Sequence, residues 1–279
     1  AKGQGRNSYQ YFTQSLQINA SYRAGVIAEL RVALEKNQFE LFYQPIINFK
    51  TGLISHAEAL LRWRRANGEL VLPSAFIKIA EDSGLIVDIG DWVWREALSF
   101  LSSLPPQPQF SLAINVAASQ FNSNQHSAAN WLKLLDEHGV SPESIVLEIT
   151  ERMMLNQSQR VMRKIAMFQE VGCKFSVDDF GTGYSSLASL KNFNFDYIKI
   201  DADFVRPLTP GSQDAALVFA MISMAKGLGL ESIAEGVETQ EQADILRTMN
   251  CTYAQGYLYS KPLAAGEFKA LLSDQSANF

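Results

Sequence analysis

The sequence predicts an α/β fold, a closed (β/α)8 barrel in which one strand runs antiparallel to the others. Eight segments have the composition of short strands, and the last six alternate with helical segments. A link of only a few residues joins the first two strands, which favours an antiparallel pair because a parallel crossover needs about a dozen residues. The 279 residues, 47% of them hydrophobic, suit one such barrel of about 250 residues. No Gly-x-Gly-x-x-Gly follows the first strand, which disfavours an open dinucleotide-binding sheet.

The amino-terminal part combines a predicted linker, a helix and a hairpin. Residues 1–20 are polar and contain glycine, so we expect a linker ahead of a domain formed by residues 21–279. Ser21 is predicted to cap a helix that runs to about Lys36. The hairpin has strands over 39–45 and 53–63.

Two helices are predicted between the hairpin and the alternating region. Pro73 begins the first, which ends at Gly84. The second covers 87–104 and is stopped by two prolines. Three of its large apolar residues are predicted to face the core: Trp92, Trp94 and Leu98.

From residue 110 the chain alternates between strands and helices. The predicted strands cover 110–116, 145–149, 174–177, 197–200, 232–235 and 252–256, and the predicted helices cover 127–137, 158–171, 214–228, 240–249 and 265–272. This rhythm is typical of a parallel sheet.

Composition excludes several classes of protein. The net charge of −5, with no basic tract, argues against a duplex nucleic-acid binder. No segment approaches the roughly 18 apolar residues of a membrane span, and no signal peptide is visible. Cys173 and Cys251 are far apart and predict buried, reduced thiols in a cytoplasmic domain. Three histidines show no ligand spacing and are interpreted as structural or exposed: His56, His126 and His138.

Polar residues stand at or near the ends of successive predicted strands, where barrel enzymes place their chemistry. In chain order they are Asn115, Glu148, Asp178 with Asp179, Lys199 with Asp201, Glu235 and Gln255, and Glu58 and Arg62 lie within the second strand. One such residue would be unremarkable, but the recurrence at six strand ends predicts a functional site.

The chemistry of this set indicates divalent cations. Crowded carboxylates repel one another, and oxygen ligands without His or Cys suit Mg²⁺, Mn²⁺ or Ca²⁺ better than zinc. The adjacent acids Asp178 and Asp179 suit a centre of two ions, which can activate water for phosphodiester hydrolysis. Arg62 and Lys199 add positive charge for a phosphate.

The motifs together resemble the EAL domain, the family of cyclic-di-GMP phosphodiesterases. The resemblance spans about residues 21–272 and is carried by these segments: Tyr43-Gln44-Pro45-Ile46, Glu58-Ala59-Leu60-Leu61-Arg62-Trp63, Asn115-Val116, Leu147-Glu148-Ile149-Thr150-Glu151, Asp178-Asp179-Phe180-Gly181-Thr182-Gly183-Tyr184, Lys199-Ile200-Asp201, Glu235-Gly236-Val237-Glu238-Thr239 and Gln255-Gly256-Tyr257. It implies a TIM-like (β/α)8 barrel with one antiparallel strand, and hydrolysis of cyclic di-GMP to linear pGpG with Mg²⁺ or Mn²⁺, two ions per site.

Roles for individual residues follow from the resemblance alone. It implies a first metal held by Glu58, Asn115, Glu148 and Asp178, and a second held by Asp178, Asp179 and Glu235. Lys199 would orient the attacking water, Arg62 would bind a phosphate, and Gln44 and Gln255 would contact the nucleotide. Whether Glu235 is the general base or mainly a metal ligand stays open.

The resemblance also implies supporting residues and partners. Glu151 would steady the loop from Asp178 to Ser189, which in this family couples the metal site to a homodimer, and Asp201 and Glu238 would be supporting acids. Ala117 and Arg152 stand where the family usually has Ser, and neither is a proposed ligand.

The amino terminus suggests a longer protein. Residues 1–7 resemble the end of a diguanylate cyclase (GGDEF) domain, and the first residue is Ala1 rather than Met. We therefore expect the phosphodiesterase half of a bacterial tandem protein, with its cytoplasmic domain joined to upstream sensors or a membrane anchor.

Two alternative functions remain at this point. One is a non-catalytic receptor for cyclic di-GMP, although degenerate receptors lose ligands that this sequence keeps. The other is a glycosidase with Glu148 and Glu235 as its paired acids. The glycosidase would leave Asn115, Lys199 and the paired aspartates without a role.

Overall fold

One sheet, closed into a barrel, organises the computed structural model of this chain, which describes residues 14–105, 110–122, 128–155, 159–181 and 193–277. The strands within these ranges are β1 (Phe39–Asn48), β2 (Ile54–Arg64), β3 (Leu70–Val71), β4 (Ser111–Asn115), β5 (Ile145–Thr150), β6 (Lys174–Phe180), β7 (Tyr197–Ile200), β8 (Glu231–Ala234), β9 (Tyr253–Gln255) and β10 (Leu263–Ala264).

Helices follow or cover these strands. They are α1 (Gln14–Glu35), α2 (Ile77–Ser83), α3 (Ile86–Ser102), α4 (Ala118–Asn122), α5 (Ala128–His138), α6 (Glu151–Leu155), α7 (Gln159–Glu170), α8 (Ala202–Val205), α9 (Gln213–Gly227), α10 (Gln240–Thr248) and α11 (Ala265–Ala277). Two 3₁₀ turns lie at Pro73–Ala75 and Pro142–Ser144. In the part of the chain that the structure describes, no helix is long and apolar enough to cross a membrane.

The barrel is closed by the pairing of β1 with both β2 and β9. From β2 the order continues through β4, β5, β6, β7 and β8 to β9, and all of these neighbours are parallel. The strand β1 is antiparallel to both of its barrel neighbours. The predicted eight-stranded barrel with one antiparallel strand is therefore confirmed.

The short elements escaped the sequence analysis. The two-residue strands β3 and β10 extend the sheet beyond the barrel, beside β2 and β1, and they are too short for an alternating pattern to appear. The helices α4, α6 and α8 have four or five residues each. Helical periodicity needs a window of about 11 residues.

The predicted start of the first helix is wrong. The helix α1 begins at Gln14, inside the predicted linker, and Ser21 lies within it rather than at its cap. Ile18 is 61% exposed, so the early turns bury little and carry no apolar stripe by which the start could be recognised. The domain boundary between residues 20 and 21 stays a prediction, and residues 1–13 lie outside the described part.

Other boundaries differ where polar residues continue an element. Strand β6 runs to Phe180 instead of Val177, because Asp178 pairs with Thr150 of β5 and Phe180 with Ile200 of β7. The last helix runs to Ala277 instead of residue 272. The predicted starts at residues 127 and 158 lie outside the described residues.

The core lies in two places, inside the barrel and between the barrel and its helices. Six side chains fill the barrel interior in one layer: Ile46, Ala113, Val146, Tyr197, Ile233 and Tyr253. Outside, Trp94 and Leu98 of α3 are fully buried and Trp92 packs partly buried, as predicted. Trp94 stacks on Trp131 of α5 at 4.7 Å between ring centroids.

Candidate active site

Each barrel strand places one polar side chain in a single layer above the apolar interior. Side chains on a strand alternate between its two faces, so Lys199 lies one inward position beyond Tyr197 of the apolar layer. The polar layer consists of Gln44, Glu58, Asn115, Glu148, Asp178, Lys199, Glu235 and Gln255. The sequence analysis had named all eight, and the structure brings them together.

Lys199 occupies the centre of this layer. Its ammonium Nζ lies 2.7 Å from Glu235 Oε1 and 3.0 Å from Glu148 Oε2. It also lies 3.2 Å from Glu58 Oε2 and 3.4 Å from Asp178 Oδ1. Burial alone would lower the pKa of Lys199, but the surrounding carboxylates raise it well above its usual value. Lys199 is therefore the counter-ion of four acids.

Glu58 is the hydrogen-bonding hub of the layer. Its Oε1 accepts a hydrogen bond of 2.7 Å from Asn115 Nδ2, and its Oε2 accepts one of 2.7 Å from Gln255 Nε2. Burial raises the pKa of Glu58, yet the charge of Lys199 and the bonds from Gln255 and Asn115 outweigh it and lower the pKa below its usual value. Glu58 is therefore held ionised by its donors.

The pKa values of Glu148 and Glu235 are shifted upwards, opposite to that of Glu58. Burial is the main cause that raises the pKa of Glu148 well above its usual value, against the opposing charge of Lys199. Burial also raises the pKa of Glu235 to about 8. Oε1 of Glu148 is buried and has no hydrogen-bond partner. The layer thus contains more carboxylate than its single ammonium satisfies.

The adjacent acids Asp178 and Asp179 lie at an irregularity of strand β6. The register between β6 and β7 shifts between Val177 and Phe180, and Asp179 has a positive φ of 55°. Bulges of this kind re-aim side chains beside active sites. Burial first, and then the charges of Asp178 and Asp201, raise the pKa of Asp179 to about 6.

A cavity opens beside the layer. The cavity is lined by four residues of the layer, Gln44, Glu58, Glu235 and Gln255, and by residues that follow strands β7, β8 and β9: Ala202, Arg206, Gly236, Glu238, Gly256 and Tyr257. Gln255 Nε2 donates to Gln44 Oε1 at 3.0 Å, and Gln44 Nε2 donates to the Ser260 carbonyl at 3.1 Å. The two glutamines therefore form one connected wall. Arg206 was not predicted as a site residue, because an exposed arginine directly after a four-residue helix carries no pattern.

The remaining predicted residues lie around the layer rather than in it. Arg62 Nη1 donates to the Leu61 carbonyl at 2.9 Å, and burial lowers the pKa of Arg62 while the charges of Tyr257 and Glu58 raise it. Asp201 caps α8 by accepting a hydrogen bond from the Asp203 amide at 2.7 Å. Glu238 pairs with Arg206 at 3.7 Å.

Glu151 touches the loop that the sequence analysis assigned to it. Its buried Oε2 accepts a hydrogen bond of 3.2 Å from the Gly181 amide. Gly181 is the last described residue of that loop, since residues 182–192 lie outside the described part. Glu151 therefore contacts the start of the loop, and its role in steadying that loop stays a prediction.

The donor set fits a divalent cation. Among the described residues, no three acidic, histidine or cysteine side chains converge with a spacing that would hold an ion; instead, four carboxylates point at the Lys199 ammonium. Their excess negative charge, the unpaired Glu148 Oε1 and the all-oxygen character of the set are suited to a divalent cation that prefers oxygen ligands.

The sequence is similar to a known protein family and to several of its members. A family model described as EAL domain matches residues 27–262. The chain is 36% identical over 272 residues to the Pseudomonas aeruginosa protein named bifunctional diguanylate cyclase/cyclic di-GMP phosphodiesterase MucR, covering 97% of this chain and 40% of that one. It is 36% identical over 275 residues to cyclic di-GMP phosphodiesterase NbdA of the same organism, covering 98% of this chain and 35% of that one. It thus spans less than half the length of these two relatives.

A solved structure has a similar fold. The PaMucR phosphodiesterase in complex with c-di-GMP superposes with a TM-score of 0.81 at 34% identity, over 88% of this chain and 99% of that one.

Proposed function

Because the chain belongs to the EAL domain family, we propose that it hydrolyses cyclic di-GMP to linear pGpG with the help of divalent cations. Water adds to one phosphorus, the bond from that phosphorus to the 3′ oxygen breaks, and the leaving oxygen takes a proton. The macrocycle that the two phosphodiesters close is thereby opened, and the second phosphodiester is kept.

The observation that carries the proposal is the complete polar layer around Lys199. Four carboxylates surround its ammonium, and one of them accepts a hydrogen bond from the Asn115 amide. Two of these carboxylates, Glu58 and Glu235, line a cavity whose wall holds two glutamines. Burying an unpaired carboxylate costs on the order of several kcal/mol. A receptor that only binds the nucleotide has no need for so many buried acids. The relatives named as cyclic di-GMP phosphodiesterases support the same reading.

The layer divides into residues that would hold cations and residues that act on the substrate. We propose that Mg²⁺ or Mn²⁺, two ions per site, are held by Glu58, Asn115, Glu148, Asp178, Asp179 and Glu235. Bound there, the ions supply Lewis acidity that lowers the pKa of water and neutralises the charge of the phosphate.

Lys199 and Glu235 are the candidate catalytic residues. Four carboxylates surround the ammonium of Lys199. Since an ammonium has three N–H groups, a carboxylate that turned towards a bound cation would free one of them to orient the attacking water. Glu235 lies at the cavity and touches Lys199 at 2.7 Å, and its carboxylate can accept the proton of that water. Since the side chain of Lys199 is 1% exposed, its charge acts strongly on the developing transition state.

Gln44, Gln255 and Arg62 are proposed to bind the nucleotide. Oε1 of Gln255 is buried without a hydrogen-bond partner, which leaves an acceptor for a donor group of the substrate. The guanidinium of Arg62, 9% exposed, can pair with a phosphate.

An assay for pGpG tests the activity. The protein is incubated with cyclic di-GMP and Mg²⁺ or Mn²⁺, and products are separated by chromatography; pGpG is expected with either ion and absent in excess EDTA. Glu58→Gln and Asp178→Asn should each lower turnover at least about 100-fold by weakening the metal site. Glu137→Gln is the matched control, because Glu137 is a half-exposed partner of Lys133.

The two alternatives predict different results. A receptor would bind cyclic di-GMP and release no pGpG with any divalent ion. A glycosidase would act on sugars and remain active in EDTA, and the family match already favours the phosphodiesterase over it.

The proposal extends to the whole protein at three points. A diguanylate cyclase domain upstream is supported by the name of MucR and by the motif in residues 1–7, which lie outside the described part. A homodimer coupled to the site through the loop after Gly181 stays a prediction, since the contact of Glu151 with that glycine lies within one chain. An upstream membrane anchor stays a prediction; mass measurement of the intact protein and size-exclusion chromatography would test the first two.

A further inference from the structure

A close approach between two helices, α3 and α4, lies outside the polar layer. The carboxamide of Gln120, in α4, lies against Gly90 of α3, and a Cβ added to Gly90 would be 1.7 Å from Gln120 Nε2. Gln120 is 7% exposed. The side chain of Gln120 therefore occupies the space that any residue other than glycine would take at position 90.

Gln120 holds the turn that follows strand β4. The side-chain Oε1 of Gln120 accepts a hydrogen bond of 2.7 Å from the Ala117 backbone amide. The backbone amide of Gln120 donates to the Ala117 carbonyl at 3.0 Å. On the other side, the Val116 amide donates to the Glu148 carbonyl at 2.9 Å. The backbone just after Asn115 is thus fixed from two directions.

We propose that Gly90 and Gln120 are positioning residues for Asn115, holding its amide at the angle from which it serves the cation site. The inference rests on the proposed function, because only there does the orientation of Asn115 matter. Asn115 Nδ2 donates to Glu58 Oε1 at 2.7 Å, so its other amide atom, Oδ1, can face a cation. Hydrogen bonds behind a ligand set its orientation and commonly change metal affinity 10- to 100-fold, as an order of magnitude.

The test compares metal affinity in variants that differ at these two positions. Gly90→Ala displaces the carboxamide of Gln120, and Gln120→Leu removes the acceptor while keeping much of the volume. Gln120→Glu keeps an acceptor for the Ala117 amide and is the rescue variant. Gly25→Ala is the matched control, since Gly25 lies in helix α1 with nothing within 4 Å of an added Cβ.

Binding of Mn²⁺ alone, followed by electron paramagnetic resonance, is the primary readout. We expect Gly90→Ala and Gln120→Leu to weaken Mn²⁺ binding about 10-fold or more, and Gln120→Glu and Gly25→Ala to stay within about 3-fold of the parent protein. At saturating Mn²⁺, kcat should recover and KM for cyclic di-GMP should stay unchanged.

Each outcome decides the inference separately from the proposed function. Parental Mn²⁺ affinity in Gln120→Leu overturns the inference even if hydrolysis by the parent protein is confirmed, and so does a parent protein that binds no Mn²⁺. Weakened binding in that variant supports it even if the parent protein makes no pGpG. If Gly90→Ala fails to fold, the pair Gln120→Leu and Gln120→Glu decides.

Discussion

The ammonium of Lys199 lies 2.7 Å from Oε1 of Glu235, with the lysine side chain 1% exposed and that of the glutamate 18% exposed. Three more carboxylates contact the same ammonium. We therefore propose that Lys199 combines two tasks: it neutralises the acids of the resting site, and it would offer positive charge beside the reacting phosphate. The two tasks can be separated by measuring stability and turnover in the same variants.

Replacing Lys199 should cost stability most when divalent ions are absent. In Lys199→Met the buried acids lose their counter-ion, and we expect about 3 to 5 kcal/mol less unfolding free energy in EDTA, the usual cost of breaking a buried ion pair. Mg²⁺ should restore part of the loss while turnover stays low. Urea denaturation with and without Mg²⁺ measures the effect.

A matched control comes from the surface. Lys133 is 75% exposed and pairs with Glu137 at 3.0 Å, so Lys133→Met should change stability by less than about 1 kcal/mol. If Lys199→Met were equally stable in EDTA and in Mg²⁺, the acids would not depend on a counter-ion.

Gly256 directly follows strand β9 and packs against Val237, in the segment after strand β8, beside the cavity. An added Cβ would lie 2.0 Å from the Val237 carbonyl oxygen and 2.4 Å from its nitrogen, while the Val237 amide donates to the Gln255 carbonyl at 3.0 Å. Gly256→Ala must therefore push two backbones apart, and we expect a loss of about 1 to 3 kcal/mol and reduced turnover through displaced Gln255. Thermal unfolding and the pGpG assay check both.

Gly266 provides the comparison for that change. It lies in helix α11 with nothing within 4 Å of an added Cβ, so Gly266→Ala should be neutral or stabilising by up to about 1 kcal/mol. Equal effects of the two substitutions would show that the contact of Gly256 with Val237 has no energetic weight.

The sequence predicted the barrel and the polar layer because both are periodic. Alternation along strands marks which residues point inward, and Lys199, Glu148 and Gln255 each stand where a strand ends. Contacts between distant segments leave no such trace: that Lys199 Nζ sits among four acids follows only from barrel closure. The same holds for Gln120 against Gly90, since neither residue reveals the other in the sequence.

Both cysteines should be unreactive in the folded protein. Cys173 and Cys251 are buried free thiols, and burial raises their pKa to about 12 and about 11. Since the thiolate is the nucleophile, native protein should react with Ellman's reagent only as slowly as it opens, and denatured protein should react at both thiols at once. Rapid labelling of the native protein would contradict the predicted packing.

His56 is buried inside the barrel and contacts Tyr197 and Tyr253 of the apolar layer. It lies two residues before Glu58 on β2, and its Nε2 is 3.0 Å from the Tyr197 hydroxyl while its Nδ1 is 2.8 Å from Ser55 Oγ. Its ring also packs edge-on against Tyr253 at 4.7 Å. The imidazole is 5% exposed, and burial first, with the charge of Lys174 second, lowers its pKa from 6.5 to about 4.

Folding should therefore weaken in acid through His56. Below pH 6.5 the unfolded chain binds a proton that the folded chain refuses until about pH 4, so this contribution to stability is complete above pH 6.5 and is lost as the pH falls through that window. The expected loss is about 3 kcal/mol. Because the acids of the site titrate as well, the measurement is the difference in unfolding free energy between the parent protein and His56→Gln from pH 7.5 to 4.5. The difference should shrink or change sign towards low pH, and a difference independent of pH would show that the imidazole takes up its proton equally in the folded and unfolded chains.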